Sequence, residues 1–255
     1  MKKNNDKKSN NAQKGSSVIN IANVDNFRFI ESYKALRTNV MFALPAKEDI
    51  KNRKIIFTSA CPGEGKTTTT ANLAVALSET EKSVLLIDAD LRKPTVHRYF
   101  SIESRMGLSN ILSGMNDLEE CIQKIEGMPN LSVIPAGILP PNPSELLGSS
   151  AMENMLKELE TRYDYIVIDT PPVNIVTDAL SLVGMVDGVA FVISPGRSTY
   201  PEVSKAIETL KFANANIIGA VMNGSNDSKR KRKSRYGTYS YKYKYVPITH
   251  SKSEH

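Results

Sequence analysis

Several classes of protein are excluded by what this sequence lacks. It contains no tryptophan, two cysteines that lie far apart, and three histidines that do not cluster. Two distant cysteines do not make a disulfide framework, so a reducing cytosol is the expected compartment. No apolar run reaches the length of about eighteen residues that a membrane-spanning helix needs. Residues 1–17 are polar and charged with no apolar stretch after them, so no signal peptide is predicted.

Positive charge is concentrated at the two ends of the chain. Residues 1–20 hold five Lys and one Asp, and residues 224–255 hold nine Lys or Arg and two acidic residues. The net charge of the whole chain is +6, so the part between the ends is acidic. A DNA-binding domain more often carries its basic face on the folded part, and we expect no nucleic-acid partner. Blocks such as KRKRKSR repel themselves, which predicts a disordered lead over 1–26 and a flexible tail over 224–255.

Between the two ends, apolar strands alternate with helical stretches. The strand candidates are short, continuous runs rich in Val and Ile, which is typical of strands buried on both faces. They are 54–59, 83–88, 131–136, 165–169, 188–194 and 217–223. The helix candidates, with apolar residues at helical spacing, are 27–44, 66–80, 150–162 and 200–213. The alternation predicts an α/β domain over residues 27–223, with a mostly parallel sheet and helices on both faces. The motif described next makes the expected fold P-loop NTPase-like.

The stretch SACPGEGKTTTT follows the first strand and opens a helix, as a phosphate-binding loop does. The pattern G-x-x-x-x-G-K-[ST] is met except at its first position, where Ala60 replaces glycine. In such a loop, backbone N–H groups surround phosphate oxygens at a helix N-terminus, where partial positive charge favours an anion. Lys66 is predicted to bridge the β- and γ-phosphates of ATP, and the Thr67 hydroxyl to coordinate Mg²⁺. The predicted nucleotide-binding residues are Pro62, Gly63, Glu64, Gly65, Lys66, Thr67 and Thr68.

Three carboxylates are predicted to face this loop. Asp88 ends one strand, Asp90 follows two residues later, and Asp169 ends another strand. Because ligands of an open parallel sheet gather at the carboxyl ends of its strands, we expect these side chains at the edge that holds the phosphate loop. Asp169 after an apolar strand is typical of an acid that holds Mg²⁺, and either Asp88 or Asp90 could receive the proton of an attacking hydroxyl.

Three nearby residues carry less specific signals. Asp178 is interpreted as a helix N-cap, a frequent role of an aspartate at the start of a helix. Arg92 is near enough in sequence to assist a phosphate, but it could equally be a surface arginine paired with an acid. Cys61 lies in the phosphate loop, and we interpret it as a loop filler rather than as a thiol activated by the helix N-terminus.

The order of these motifs resembles one protein family. PGEGKT, LLIDADLRKP, IPAGILPPNPSELL and YDYIVIDTPPV occur in that order and are followed by a cluster of tyrosines. From about Phe27 to the tail, the chain is similar to the cytoplasmic domain of the bacterial tyrosine kinases (BY-kinases). It most resembles the stand-alone Gram-positive form, which is encoded apart from its membrane activator and serves capsule or exopolysaccharide synthesis. The phosphate loop alone is not specific for this family, whereas PPNPSELL, DTPPV and the tyrosines together are.

The resemblance implies roles for individual residues. Lys66 and Thr67 match the family's P-loop lysine and magnesium-binding hydroxyl residue, and Asp169 matches its Walker-B acid. Asp88 and Asp90 match the two acids of a second Walker-like strand, the first of which is regarded as the base or a metal-site acid. The implied catalytic residues are Lys66, Asp88, Asp90 and Asp169, and the implied metal-site residues are Thr67, Asp88 and Asp169.

The resemblance also implies partners. Glu31, Lys34 and Arg37 match an E-x-x-R-x-x-R segment that packs between subunits of a ring, so a ring-shaped homo-oligomer is expected. The middle position is lysine here, which weakens bidentate pairing. The other implied partners are a membrane-embedded activator of polysaccharide export and a cognate tyrosine phosphatase. The protein is expected in the cytoplasm, at the inner face of the cell membrane through that activator.

Five of the ten tyrosines lie in one stretch near the C-terminus, RYGTYSYKYKY. Phosphoryl transfer explains this cluster, because a flexible segment lets several hydroxyls reach the active site of a neighbouring copy in turn. The predicted phosphoacceptors are Tyr236, Tyr239, Tyr241, Tyr243 and Tyr245. Two alternatives are an edge strand with tyrosines on one face and a binding site for single-stranded nucleic acid made of basic and aromatic residues.

The predicted function is therefore an ATP- and Mg²⁺-dependent protein-tyrosine kinase that phosphorylates its own tail in trans. The alternative is a nucleotide-switched assembly ATPase of the partition and division type, to which the family is related. Those ATPases carry an extra lysine early in the phosphate loop, where this chain has Cys61, and the difference favours the kinase.

Overall fold

Seven strands form one sheet within residues 26–44 and 53–224, the part of the chain that the computed structural model describes. Six of them correspond to the predicted strands, with ends shifted by up to three residues. The seventh, a three-residue strand, was not predicted. The strands are β1 (Arg53–Ser59), β2 (Val84–Asp88), β3 (Gln123–Ile125), β4 (Met128–Ile134), β5 (Tyr165–Asp169), β6 (Gly188–Ile193) and β7 (Ile217–Met222).

The helices of the described residues cover both faces of this sheet. The four long helices confirm the predicted ones, whereas the helices of four or five residues were not predicted. None of the described helices combines the length and the apolar character that a bilayer crossing needs. The helices are α1 (Phe27–Ala43), α2 (Lys66–Ser78), α3 (Val96–Phe100), α4 (Leu108–Leu112), α5 (Leu118–Cys121), α6 (Pro143–Leu147), α7 (Ser150–Leu159), α8 (Asp178–Leu182) and α9 (Tyr200–Phe212).

Local sequence signals explain where the long helices begin. The Ser149 side chain accepts a hydrogen bond from the Met152 N–H and caps α7, whose buried residues recur at helical spacing. Thr199 and Glu202 form a capping box at the start of α9. Helix α2 has buried side chains along nearly its whole length, because it lies between the sheet and α1.

The strand order is β3-β4-β2-β5-β1-β6-β7, and every neighbouring pair is parallel except β3 with β4. The predicted α/β class with a mostly parallel sheet is therefore confirmed, with an antiparallel strand at one edge. Strand β5 lies between β2 and β1, and the register places Asp88 opposite Asp169 and Phe57 opposite Asp169. The carboxyl ends of three adjacent strands thus meet where the phosphate loop begins.

Side chains of the central strands enter two apolar cores, one on each face. In β5, Ile166 and Ile168 belong to one core, and Tyr165 and Val167 belong to the other, which also contains α1 and α2. Each fully buried aliphatic side chain contributes about 1.5–3 kcal/mol relative to an exposed one. The two cores hold the strand ends in fixed positions, which gives the site a rigid base.

All but the last residue of the predicted lead over 1–26, and all but the first residue of the predicted tail over 224–255, with its five tyrosines, lie outside the described residues. The domain boundaries derived from the sequence stay predictions.

Candidate active site

The phosphate loop occupies the turn between β1 and α2. Gly63 and Gly65 have left-handed backbone, with φ of +79° and +85°, which glycine adopts without strain. Gly65 is the N-cap of α2, and no side chain among the described residues caps that end of the helix. Lys66 is the first residue of α2 and is 7% exposed, so its side chain is held within the protein. The uncapped helix N-terminus and the lysine together form the predicted kind of anion site.

The side chain of Glu64 points into the protein and braces the loop. Its buried carboxylate accepts hydrogen bonds from the N–H of Cys61 at 2.8 Å, the N–H of Ser194 at 3.2 Å and the hydroxyl of Ser198 at 2.6 Å. These bonds attach the loop to the segment that follows β6. Any contact between Glu64 and a nucleotide would therefore come from its backbone.

Asn223, directly after β7, is a site residue that the sequence analysis missed. Its side-chain amide donates to the carbonyl of Glu64 at 2.9 Å, and its N–H donates to the carbonyl of Ile193 at 2.8 Å. A Cβ on Gly65 would lie 1.8 Å from the Asn223 Nδ2 atom, so the glycine is required by this neighbour as well as by its φ. The one signal in the sequence was an asparagine as the last residue of the predicted strand 217–223.

Asp169 lies next to the hydroxyl predicted to bind Mg²⁺. Thr67 Oγ1 donates to Asp169 Oδ2 at 2.5 Å, and Thr70 Oγ1 donates to Oδ1 at 3.3 Å. Burial raises the pKa of Asp169 to about 6, against the lowering effect of the Lys66 ammonium and the Thr67 hydroxyl. The structure thus brings together three of the predicted site residues, Lys66, Thr67 and Asp169.

Asp88 is fully buried beside Asp169. Its carboxylate accepts hydrogen bonds from the N–H groups of Asp90 at 3.2 Å, Thr95 at 3.1 Å and Val96 at 3.1 Å. Burial, and then the neighbouring Asp169 carboxylate, raise the pKa of Asp88 well above its ordinary value. Two strand-end carboxylates are therefore held next to each other in a place that favours a cation between or beside them.

Asp90 has a different environment, although it lies two residues from Asp88. Its carboxylate accepts a hydrogen bond from the Lys93 N–H at 3.0 Å, and its side chain lines the open cleft. Of the two acids left open as proton acceptors, Asp90 lines this cleft and Asp88 does not.

The N-cap interpretation of Asp178 is wrong. The N-cap of α8 is Thr177, and Asp178 is the first residue of the helix. Its buried carboxylate accepts from Arg92 Nε at 2.9 Å, from Arg92 Nη2 at 3.1 Å and from the Ser144 hydroxyl at 2.6 Å. Of the two roles left open for Arg92, pairing with an acid is confirmed, and the arginine also borders the cleft.

A cleft of about 470 Å³ joins these elements. One wall is the phosphate loop, another is the segment after β2, and a third is the segment after β5. Its lining residues are Pro62, Gly63, Gly65, Lys66, Thr67, Thr68, Asp90, Arg92, Lys93, Thr95, Pro171, Pro172, Ile175 and Val176. The loop, Asp90 and a cationic side chain thus face one space.

Cys61 has the properties of a loop filler. Burial raises the pKa of its thiol, and a hydrogen bond with Glu202 raises it further. Because the thiolate is the reactive form, these surroundings disfavour a nucleophilic role.

The residues predicted for the ring interface are engaged within the monomer. Lys34 Nζ lies 2.9 Å from Glu31 Oε1 on the same helix. Arg37 Nη1 donates to the carbonyl of Ala76 at 2.6 Å and lies 3.8 Å from Glu79 Oε2, so it joins α1 to α2. Their role between subunits stays a prediction.

Known proteins resemble this chain over most of its length. The family described as AAA domain matches residues 52–217. Tyrosine-protein kinase YwqD of Bacillus subtilis is 43% identical over 208 residues, which are 82% of this chain and 86% of YwqD. The chain belongs to the bacterial tyrosine kinases.

Further relatives support the assignment of this kinase. Putative tyrosine-protein kinase CapB of Staphylococcus aureus is 38% identical over 193 residues, 76% of this kinase and 83% of CapB. Putative tyrosine-protein kinase EpsB of Ralstonia nicotianae is longer, and its 38% identity over 212 residues covers 82% of this kinase and 28% of EpsB.

Solved structures separate the two functions considered from the sequence. The chimerical protein CapA2B2 aligns with a TM-score of 0.75 and 36% identity, covering 82% of this kinase and 90% of that chain. The septum site-determining protein MinD of Pyrococcus horikoshii, complexed with Mg-ADP, aligns with a TM-score of 0.58 and 28% identity, covering 69% and 72%. The fold and the resemblance to BY-kinases are confirmed, and the assembly-ATPase alternative is not favoured.

The described residues fit a magnesium nucleotide. The phosphate loop has two left-handed glycines, an uncapped helix end and a buried lysine. Within residues 26–44 and 53–224, no group of three or more His, Cys, Asp or Glu is arranged to hold a metal ion by itself. Mg²⁺ does not need such a cage, because it keeps several waters and binds through one or two carboxylates plus substrate phosphates. Thr67 and Asp169 fit this requirement, with one hydroxyl and one carboxylate side by side.

Proposed function

We propose that this chain is a protein-tyrosine kinase that transfers the γ-phosphoryl group of ATP to tyrosines at 236–245 of a neighbouring copy. The observation that carries the proposal is the meeting of Lys66 and Thr67 with the strand-end acid Asp169, beside a cleft lined by Asp90. Membership of the tyrosine-kinase family supports a phenol as the acceptor.

The residues of the site divide the task of holding the nucleotide. The α2 N-terminus and Lys66 would bind the phosphates, and Thr67 with Asp169 would hold Mg²⁺, with Asp88 on the neighbouring strand. When bound, Mg²⁺ neutralises charge on the β- and γ-phosphate oxygens. The buried position of Asp88 and Asp169 fixes these carboxylates before the nucleotide arrives, which is the preorganisation that phosphoryl transfer depends on.

The transfer step assigns the proton to Asp90. The phenol oxygen of the acceptor forms a bond to the γ-phosphorus, and the bond from that phosphorus to the β–γ bridging oxygen breaks. ADP is the leaving group, and the phenol proton passes to the Asp90 carboxylate, which lines the cleft. Asp88 is less suited to this role because three N–H groups already occupy its oxygens.

Mapping phosphorylation sites tests the proposal directly. We expect the purified protein, given ATP, Mg²⁺ and the cytosolic part of its activator, to acquire phosphotyrosine within residues 236–245. The Lys66→Met variant should acquire none, and mixing it with wild type should restore label on the variant, since transfer occurs in trans. Label released only as inorganic phosphate would contradict the proposal.

A second pair of variants separates the two acids. Asp90→Asn should reduce the rate by about 10²–10⁴, the range of a general base, while the stabilisation by Mg-ADP is retained. Asp88→Asn should weaken the Mg-ADP effect as well. Equal Mg-ADP stabilisation in both variants would contradict the division of roles.

The partners implied by the family resemblance belong to the same proposal. A membrane-embedded activator of polysaccharide export would hold the kinase at the inner face of the cell membrane, and a cognate tyrosine phosphatase would reset the tail. The process that the kinase would regulate is capsule or exopolysaccharide synthesis. Co-purification of the full chain with the activator from membranes is the test, and a kinase that stays active and unattached without it would contradict this part.

A ring of copies assembled through Glu31, Lys34 and Arg37 completes the proposal. Each phosphate adds about −1.5 to −2 charges, so phosphorylation of all five tyrosines would cancel the positive balance of the tail and loosen the ring. Molar mass measured before and after phosphatase treatment checks this. Identical masses would contradict it.

A further inference from the structure

An apolar ledge lies in the cleft on the side of β5. It is made of Pro171, Pro172, Ile175 and Val176, all of which line the cleft. Ile175 is 61% exposed, and the four residues together form an apolar part of a cleft whose other lining residues include Lys66, Asp90 and Arg92. None of these four residues has a part in holding phosphates, metal or the proton, so the ledge needs a different explanation.

The ledge is fixed in place by hydrogen bonds. The carbonyl of Pro171 accepts from the Thr58 hydroxyl at 2.9 Å, which ties it to β1. The carbonyl of Pro172 accepts from the N–H of Ile175 at 3.1 Å and the N–H of Val176 at 3.3 Å, which closes a turn. A surface that is formed before a ligand arrives loses little entropy on binding, as expected of a built subsite.

The strand order decides which end of a nucleotide faces the ledge. The acids that act on the terminal phosphate follow β2 and β5, on one side of β1 and its phosphate loop. Asn223 and the segment bonded to Glu64 follow β7 and β6, on the other side. A nucleotide whose terminal phosphate faces Asp169 and Asp90 would direct its base away from the ledge, toward the β6–β7 side. The ledge is therefore left for the acceptor.

We propose that the ledge is the subsite for the aromatic ring of the acceptor tyrosine, which comes from residues 236–245 of a second copy. This inference rests on the proposed function. The ring packs against Ile175 and Val176, which are the accessible members of the ledge, while its hydroxyl is directed to the terminal phosphate beside Asp90. A serine hydroxyl sits on Cβ and has no ring to occupy the ledge, so the ledge selects tyrosine. Arg92, fixed by Asp178 at the border of the same cleft, is placed to receive the charge of the product.

The position where the tail begins assigns the occupant to another copy. The tail follows Gly224, next to Asn223, on the β7 side of the phosphate loop. This starting point lies on the side of the phosphate loop opposite to the ledge, which favours a ledge on another copy as the binding site. The segment also brings five rings and a basic balance to a body of opposite charge, which favours association between copies.

Peptide binding tests the ledge without depending on catalysis. The probe is a labelled peptide of residues 235–246, and the protein is the full chain with its five tail tyrosines changed to serine and loaded with Mg²⁺ and a non-hydrolysable ATP analogue. We expect Ile175→Asp to weaken peptide binding about tenfold, as loss of a central apolar contact does, and to leave ADP affinity within about twofold. Ile138→Asp is the matched control, because Ile138 is 59% exposed and lies outside the cleft lining.

Three results would overturn the inference. The first is that the peptide binds the parent protein and the Ile175→Asp variant equally. The second is that ADP affinity falls together with peptide affinity, which would make the ledge a base-binding surface. The third is that a peptide with serine in place of every tyrosine binds as well as the original.

Kinetics separate this inference from the proposed function. With the parent protein active on the peptide, Ile175→Asp should raise the KM for the peptide about tenfold and leave kcat within about twofold, since the contact is made in the ground state too. If the parent protein binds the peptide through Ile175 but never forms phosphotyrosine, the proposed function fails and the ledge stands as a binding site. If phosphotyrosine forms and the KM for the peptide is unchanged in Ile175→Asp, the proposed role of the ledge is contradicted and the proposed kinase function is supported.

Discussion

The two sides of the phosphate loop hold buried carboxylates in opposite ways. On the β6–β7 side, the Glu64 carboxylate receives three hydrogen bonds from its neighbours and Asn223 secures the loop carbonyl. On the β2–β5 side, Asp88 and Asp169 are buried next to each other with raised pKa values. The first side fixes the shape of the loop, and the second keeps negative charge ready for a metal ion.

The difference shows that burial of an acid does not by itself mark a reacting group. A buried acid that is hydrogen-bonded on all sides supports structure, whereas two buried acids side by side cost stability until a cation arrives. Removing the charge of an acid should therefore lower the free energy of unfolding on the β6–β7 side and raise it on the β2–β5 side. The loss of kinase activity should be larger on the β2–β5 side.

The largest effect is expected from Asp169→Asn. Removing the carboxylate beside Thr67 should lower tyrosine phosphorylation by about 10²–10³, the range seen when an electrostatic group at a transition state is lost. The rate of phosphotyrosine formation and the thermal shift with Mg-ADP measure the loss. If the variant keeps both the wild-type rate and the Mg-ADP thermal shift, Asp169 is not part of the metal site.

The same variant should be more stable than the wild type when no nucleotide is present. The folded pKa of Asp169, about 6, lies above its ordinary value of 3.8, so the folded state holds the proton more tightly. Protonation of Asp169 stabilises the folded state fully at low pH, and this stabilisation is lost as the pH rises through about 6. Asparagine stays uncharged over this range, so the variant does not lose it. Urea unfolding should show a gain on the order of 1 kcal/mol at pH 7.5 and little at pH 4. A loss at pH 7.5 would contradict the comparison.

The next largest effect concerns Gly65→Ala on the supporting side of the loop. The new Cβ would meet the Asn223 amide at 1.8 Å and would also have to adopt a φ of +85°. Gly114→Ala is the matched control, because it has a φ of +71° and no atom within 4 Å of the added Cβ. The control should lose about 1–2 kcal/mol from backbone strain, and Gly65→Ala about 1–3 kcal/mol more from overpacking.

Adding Asn223→Ala to Gly65→Ala should recover the steric part of that loss. Chemical denaturation of the single and double variants measures the coupling between the two positions. Equal losses in Gly65→Ala and Gly114→Ala would show that the Asn223 contact has no influence on the loop.

A smaller effect is expected from Glu64→Gln. The amide can accept with one oxygen only, so at least one of its three donors loses its partner, at a cost of about 1–3 kcal/mol in the free energy of unfolding. Activity should fall through weaker ATP binding, seen as a raised KM for ATP. A lower kcat with an unchanged free energy of unfolding would instead indicate that Glu64 takes part in the reaction.

The smallest effect is expected from Ser144→Ala at the border of the cleft. The variant removes one hydrogen bond to Asp178 but leaves the pair with Arg92 in place, so it should lose about 1 kcal/mol. Thermal unfolding and peptide phosphorylation measure this, and activity should stay close to that of the wild type. A large loss of activity would show that the position of Arg92 depends on Ser144.

The amino-acid sequence was sufficient to predict the strands, the long helices and the phosphate loop, which depend on local pattern. The strands are continuous apolar runs because helices cover both faces of the sheet, and the phosphate loop has its motif between a strand and a helix. The edge strand Gln123–Ile125 had no such signal, because it is three residues long and two of the three are polar. The short helices are likewise below the length at which an apolar period can be read.

The partnerships within the site could not be predicted, because they join distant parts of the chain. Asp178 binds Arg92 across 86 positions, and Asn223 reaches Glu64 across 159. The alignment of Asp88 with Asp169 depends on β5 lying beside β2, which is a property of the strand order. In the sequence, an aspartate at a strand end or at a helix start gives the same signal whether it caps a helix, pairs with an arginine or faces another acid. This is why Asp178 was misinterpreted.

The hydrogen bond from Asn223 to Glu64 joins the end of β7 to the phosphate loop. The N–H of the same residue donates to the carbonyl of Ile193, so β6, β7 and the loop are connected at one position. A substitution at Asn223 would therefore disturb the loop and the point from which the predicted tail continues at the same time.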